Sequence, residues 1–429
     1  MTKRFLALVL MCALVGPSWV LADDTALPTA KPEKVGMSSE RLERLGDVMQ
    51  GYVDDNLLAG TVTLIARKGK VVYFESHGYN DKEDGELMEN DDIFFMMSMT
   101  KPIVSTALMM LYEEGHFLLD DPITKWIPEL EGKEVIEKTD DGVARMKPER
   151  PVTVRHVLTH TSGLDSNRQL LNDDEKAIAR KRGATVEETI LARATLPLGF
   201  HPGDRWQYGS STDYVALLVE RMSGQNLDDF LRERIFEPLG MTDTHYNIPK
   251  SKEDRIVSVY SPSGENNTIE LYRAGEFREP TKLFPGTYGL SGTAADYFTF
   301  HQMMLNGGEY NGVRYLSPKT VNLMISNHVG DETVYIRGEG YGFGLGYSVL
   351  RDVGKAVEPL TPGSFSWGGA WGTIFWVDPA EEMIGIMMTQ ISSYRHLTVR
   401  QKLAVMATQA ITESYAHETP PVMGYAVKD

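Results

Sequence analysis

Ser98 and Lys101 stand three residues apart in MSMTKPIVSTALMMLY, at the head of a run that is otherwise almost wholly apolar. If the run is a helix, residues three apart share a face, and the Lys101 amine reaches the Ser98 hydroxyl. Pro102 is compatible, because in the first turn its missing N–H has no intrahelical partner to lose. A lysine at the inner end of a buried helix is costly as a cation unless it is paired or gives up its proton. An amine held there can take the proton of a serine, and the helix start offers the Ser98 N–H to an oxyanion. Ser98 is thus a candidate nucleophile and Lys101 its base. The tetrapeptide alone fits a second reading equally well: a serine cap with a lysine snorkelling from the first turn.

Two further segments bear on that choice. WQYGSSTDYVALLVERMSG carries Tyr208-Gly209-Ser210 on a loop before an amphipathic helix that begins near Thr212 or Asp213. FSWGGAWGT carries Trp367-Gly368-Gly369 in a strand-like run near the end of the chain. With these three segments the sequence resembles the serine β-lactamase and penicillin-binding-protein superfamily, whose motifs are S-x-x-K, Y/S-x-N and K/H-T-G in that order. More narrowly it is similar to the class C-related branch that contains the family VIII carboxylesterases. VLTHTSGL, GLSGTAADYFTFHQMMLNGG and YGFGLGY are further landmarks of that branch, so the resemblance covers nearly the whole chain.

The resemblance implies that Ser98 is acylated, that Lys101 activates it, and that Tyr208 shares proton transfer with Lys101. It also implies an oxyanion hole made by the N–H groups of Ser98 and Ala370, with Gly368 and Gly369 letting substrate lie against the strand. Two departures matter. Trp367 replaces the cation that would hold a β-lactam or peptide carboxylate, and Ser210 replaces an asparagine that would orient a substrate amide. Both favour a neutral small-molecule ester, with Trp367, Trp371 and Tyr288 as an aromatic wall or as plain packing. A β-lactamase, a D-amino-acid peptidase and an acyltransferase remain alternatives within the same chemistry. A non-catalytic ligand-binding member is the alternative of a different class.

The elements that must position these residues can be read from periodicity. Residues 38–54 carry Leu42, Leu45, Val48 and Met49 at helical spacing after Ser38, and predict an amphipathic helix. GTVTLIARKGKVVYFESHGY predicts a hairpin turning at Lys68-Gly69-Lys70, and a second hairpin turns at Asp378-Pro379-Ala380-Glu381. A last helix is expected from about His396 to Glu418. The fold class is therefore α/β (α+β) of the β-lactamase/transpeptidase type: an antiparallel sheet from residues 23–119 and 286–429, flanked by terminal helices, with a mainly helical insert over 120–285. One related domain spans about 35–415. GEGYGFGLGY, with glycines alternating from Gly338 to Gly346, reads as a strand approached closely by another element, not as a phosphate loop.

Composition excludes several classes. The 429 residues carry a formal charge of −17, which argues against nucleic acid and anionic membrane as partners. Residues 1–22 have a basic start at Lys3 and Arg4, an apolar middle and a small-residue end at Ala22, and read as a cleaved signal directing the protein to the periplasm or outside. A retained anchor or a lipid on Cys12 is the other reading, although Met11 is unlike the small residue such processing wants. Removing the signal lowers the charge by two, to −19. Cys12 is the only cysteine, so the mature chain would have neither disulfides nor cysteine-ligated metal. No histidine cluster has metal spacing, and no cofactor is expected. His160 reads as a turn residue with local hydrogen bonds, Asp120-Asp121-Pro122 as a helix approach, and Asn172 to Glu175 as a solvated face.

Overall fold

The computed structural model describes residues 27–416. The candidate signal at 1–22, with Cys12, lies outside the described residues. Helix α1, Ser39–Asp54, begins where Ser38 accepts a hydrogen bond from the Arg41 N–H, and it buries Leu42, Leu45 and Met49 as their spacing requires. Strands β1 (Gly60–Arg67) and β2 (Lys70–Asp81) follow as the expected hairpin, and a short β3 (Glu86–Leu87) closes that edge.

The rest of the sheet comes from the far end of the chain: β4 (Tyr341–Phe343), β5 (Ser348–Leu350), β6 (Phe365–Gly368), β7 (Ile374–Asp378) and β8 (Met383–Met388). The order β4-β5-β6-β7-β8-β1-β2-β3 is antiparallel throughout. The two ends of the chain meet at β1 and β8, where Val62 lies opposite Met388 and Arg67 opposite Met383. Every residue of β1, β7 and β8 is buried, so these strands lack the polar–apolar alternation of a one-faced sheet. Both faces are covered by helices, including α2 (Thr100–Glu113), α3 (Ser211–Ser223), α4 (Ala294–Leu305) and α5 (Val399–Thr408). α1 and α5 pack on one face, α4 packs on β1 and β8, and α2 packs against α3.

Two elements depart from expectation. The last helix ends at Thr408, short of the expected Glu418; the segment beyond Thr408 is used for other bonds. Ala410 O accepts the Ser38 N–H at 2.8 Å, and Thr412 N–H reaches Gly36 O at 2.9 Å. Arg67, fully buried, donates to Glu413 O at 2.7 Å and to Gly36 O at 2.9 Å while paired with Glu381, so it ties both ends of the chain to the sheet. Residues 120–285 hold the expected short helices but also two hairpins, Val135–Thr139 with Gly142–Met146 and Val259–Ser263 with Thr268–Arg273. The glycine-alternating run does form strand β4. A Cβ added at Gly346 would meet Ser105 Oγ at 2.5 Å, so α2 makes the close approach that its spacing suggested.

The packing of α4 on β7 stacks the His301 ring on Phe375 at 4.0 Å between centroids. His301 is fully buried, neither ring nitrogen has a hydrogen-bond partner among the described residues, and burial holds its pKa well below the ordinary value. The unfolded chain takes up a proton on this ring below pH ~6.5 while the folded site stays neutral, so acidification favours unfolding. His301→Phe is expected to flatten the fall in stability from pH 6.5 to 5 by as much as ~1.4 kcal/mol per pH unit, read from urea midpoints. A pH dependence identical to that of the parent would contradict this.

Candidate active site

Ser98 lies in a single helical turn, Met97–Met99, that runs into α2. Met97, immediately before it, has φ 50°, a left-handed conformation that costs a residue with a Cβ about 1–3 kcal/mol and holds only where surrounding packing imposes it. Lys101 is one turn further on and 1 % exposed. Its Nζ donates to Ser98 Oγ at 3.1 Å and to the Thr287 carbonyl at 2.9 Å, and sits 4.6 Å from the centre of the Tyr208 ring. Two acceptors and an aromatic face therefore surround a buried amine that has no carboxylate in contact among the described residues.

Tyr208 comes from the loop before α3, and its OH donates to Ser98 Oγ at 2.8 Å. The indole N–H of Trp367, in β6, donates to that phenolic oxygen at 3.3 Å. The three sequence motifs thus converge on one oxygen atom. Trp367 is buried against Phe343 and Tyr208, with ring centres 5.4 and 5.2 Å away.

Ala370 is exposed just past β6, and Ser98, Tyr208, Trp367, Gly368, Gly369 and Ala370 all line one cavity of about 530 Å³. The turn that carries Ala370 is closed by Gly369 N–H to Thr373 O at 2.8 Å. A Cβ on Gly369 would meet Thr373 Oγ1 at 2.2 Å and Met96 O at 2.5 Å, so no side chain fits between the strand and the nucleophile turn. Arg400 of α5 holds the same turn from behind: it donates to Gly369 O, to Thr373 O at 2.7 Å and to Gly372 O at 3.2 Å.

The other residues singled out from sequence are placed differently. Ser210 Oγ donates to Asp165 at 2.6 Å and lines a separate cavity of about 310 Å³ that also touches Tyr288. Trp371 and Tyr288 both line a third cavity, of about 470 Å³, which Met97 also lines and which Ser98, Tyr208 and Trp367 do not. His160 adopts the turn conformation expected of it, φ 58°, but not the expected local side-chain hydrogen bonds: its Nδ1 is buried without a partner among the described residues, and its ring packs under Tyr208, 4.9 Å between centres. Burial, with a smaller effect of Lys101, holds its pKa well below the usual histidine value, so it stays neutral beneath the phenol.

Asp213 and Thr287 were not identified from sequence. Asp213 Oδ1 accepts the Thr287 N–H at 2.9 Å, and the Thr287 carbonyl in turn accepts from Lys101. Burial pushes the Asp213 carboxyl up, opposed by its hydrogen bonds from Thr287 and by Lys101. The one sequence cue was Asp213 itself, in the first turn after the tyrosine motif; Thr287, distant in the chain, gave none.

A model of the Beta-lactamase family matches residues 45–407. The chain belongs to the beta-lactamase family. That family falls within the β-lactamase/transpeptidase-like superfamily, whose mixed fold has the large antiparallel sheet described above. Protein Rv1367c of Mycobacterium tuberculosis is 33 % identical to this beta-lactamase-family chain, over 79 % of this chain and 87 % of the relative. Esterase EstB of Burkholderia gladioli is 31 % identical, over 81 % and 89 % respectively. Among solved structures, EstCE1, described as a hydrolase with promiscuous acyltransferase activity, superposes with a TM-score of 0.73 at 26 % identity, covering 87 % of this chain and 99 % of its own.

The Asp213–Thr287–Lys101 relay generates a prediction. Asp213→Ala should free the Thr287 loop and slow covalent labelling of Ser98 by a fluorophosphonate by about 10- to 100-fold, the penalty of a displacement on the order of 1 Å. Asp213→Asn, which keeps an acceptor for the Thr287 N–H, should restore most of the rate. An unchanged labelling rate in Asp213→Ala would refute the relay.

Proposed function

We propose that this protein is a serine carboxylesterase that works through an acyl-enzyme on Ser98. The observation that carries the proposal is the convergence of Lys101 and Tyr208 on Ser98 Oγ, at 3.1 and 2.8 Å, in a cavity where Trp367 stands in the place of the third-motif cation. A binding module would need no such arrangement. The likeness to EstB supports esters as the substrate class.

In this reading Ser98 Oγ attacks the ester carbonyl carbon as its proton passes to the amine form of Lys101. The carbonyl π-bond opens to a tetrahedral oxyanion held by the Ser98 and Ala370 N–H groups. The intermediate collapses with loss of the alkoxide, which takes a proton from Tyr208, and Tyr208 recovers one from Lys101. Water then attacks the acyl-enzyme, its proton leaving by the same two groups, and the acid departs with Ser98 restored. Trp367 fixes the phenol through its N–H, and as a neutral side chain it offers no charge to the carboxylate of a β-lactam or peptide end.

A second reading, transfer of the acyl group to an alcohol, is favoured by one observation: EstCE1, of closely similar fold, is described as carrying promiscuous acyltransferase activity. The outcome depends on whether water or alcohol reaches the acyl ester first. We also read residues 1–22 as an export signal, so the exported protein should begin at Asp23, which N-terminal sequencing would establish.

Pre-steady-state release of p-nitrophenolate from p-nitrophenyl butyrate is expected to show a burst that Ser98→Ala abolishes. Tyr208→Phe should lower the acylation rate by about 10²- to 10⁴-fold, the usual contribution of a proton-transfer group. If Ser98→Ala retains the parental turnover, the proposal fails. A chromogenic cephalosporin should compete poorly, and added alcohol should yield a measurable transfer product.

A further inference from the structure

Ser98 and Ala370 line one cavity and their chain neighbours Met97 and Trp371 line another, and the proton path assigns one to each half of an ester. The leaving alkoxide takes its proton from Tyr208, so it occupies the cavity of about 530 Å³ that Tyr208 lines. The acyl portion then extends the other way, into the cavity of about 470 Å³ whose near wall is Phe95, Met97 and Trp371, neighbours in sequence of Ser98 and Ala370. That wall is apolar, and Phe95 and Trp371 meet edge to face at 5.6 Å.

One cation lies against it. Arg273, at the end of the Thr268–Arg273 strand, places its guanidinium 4.1 Å from the centre of the Phe95 ring and 5.6 Å from that of Trp371. The hairpin holds it there: Val259 lies opposite Arg273, and Gly275 N–H donates to Ser258 Oγ at 2.8 Å two residues later. Among the described residues no carboxylate pairs with this guanidinium, and its Nε is buried without a hydrogen-bond partner. Glu276, lining the same cavity, acts on it only through space, and burial together with Arg278 lowers the Arg273 pKa to about 10, which leaves it charged at neutral pH.

The arginines of the leaving-group cavity are engaged or solvated: Arg337 faces Glu358 at 3.3 Å, Arg400 donates to the carbonyls of the Ala370 turn, and Arg395 is exposed. Arg273 has neither a carboxylate nor a carbonyl partner among the described residues: it is a half-buried cation, stacked on two rings, with donors still to fill. Such a group is costly to hold unpaired and is well suited to a planar carboxylate.

We propose that Arg273 is a specificity-determining residue that receives a carboxylate at the far end of the substrate's acyl group, so that the preferred substrates are monoesters of dicarboxylic acids. This rests on the esterase reading above and deepens it by placing charge recognition on the acyl side of the ester.

The test compares mono-p-nitrophenyl adipate and suberate with p-nitrophenyl hexanoate and octanoate, using the parent, Arg273→Gln and Arg273→Lys. The readout is the ratio of kcat/KM for the charged ester to that for its neutral counterpart. The parent should favour the charged member of at least one pair. Arg273→Gln should lower that ratio about tenfold or more, the loss of a charge-assisted hydrogen bond, and Arg273→Lys should recover part of it. Raising the salt concentration should erode the parental preference and leave the Arg273→Gln ratio little changed. A ratio unchanged in Arg273→Gln, or a parent that prefers every neutral ester, overturns the subsite even though turnover persists. Absence of any burst from all four esters overturns the esterase reading itself. Should Arg273→Gln fail to fold, the ratio in Arg273→Lys and its salt dependence in the parent decide the matter in the same way.

Discussion

Burying the Lys101 amine is the constraint on which the arrangement of the rest depends. A lysine inside an apolar helix bundle loses hydration worth several kcal/mol, and among the described residues no carboxylate touches it to compensate. Instead it is surrounded by the Ser98 hydroxyl, the Thr287 carbonyl and the face of Tyr208, which come from three separate stretches of chain. Each stretch needs its own support. The Thr287 loop is held by Asp213, the phenol of Tyr208 by the Trp367 indole, and the nucleophile turn by a strained Met97. The polar contacts that make the amine tolerable are the ones that aim it at serine.

The same economy governs the strand edge. Gly368 and Gly369 leave the strand end beside Ala370 free of side chains, as the proposed approach of an ester requires. A turn with so little side chain is weakly specified on its own. Arg400 supplies what is missing by bonding several of its carbonyls from α5, which is in turn packed on α1 and β8. The terminal helices therefore support the Ala370 turn through one guanidinium. Arg67 plays a comparable part farther away, where it joins both chain ends to β1.

Much of the scaffold was legible in the sequence because it follows from local periodicity. The α1 stripe, the hairpins at Lys68-Gly69 and Asp378-Pro379 and the apolar α2 run each carry their own signal, and each forms within a residue or two of expectation. The last helix was read too long, since its continuation is cut short by bonds to Gly36 and Ser38 more than 370 residues earlier. The hairpin ending at Arg273 carries no such signal: half its strand is exposed, Leu271 and Tyr272 included, and nothing in its spacing distinguishes it from a loop.

Three motifs and their order single out Ser98, Lys101 and Tyr208 as the candidate catalytic group, and S-x-x-K on a helix brings its own members together within one turn. The tertiary structure decided everything that needs segments distant in sequence to touch. It turned Ser210 toward Asp165, set His160 under Tyr208, linked Asp213 through Thr287 to Lys101, and divided the aromatic residues between two cavities. It also left Arg273 without a carboxylate partner among the described residues. A residue type and its spacing can state which chemistry is available, but a cation's partners, and hence whether it still has donors to offer, are fixed only when the chain has packed.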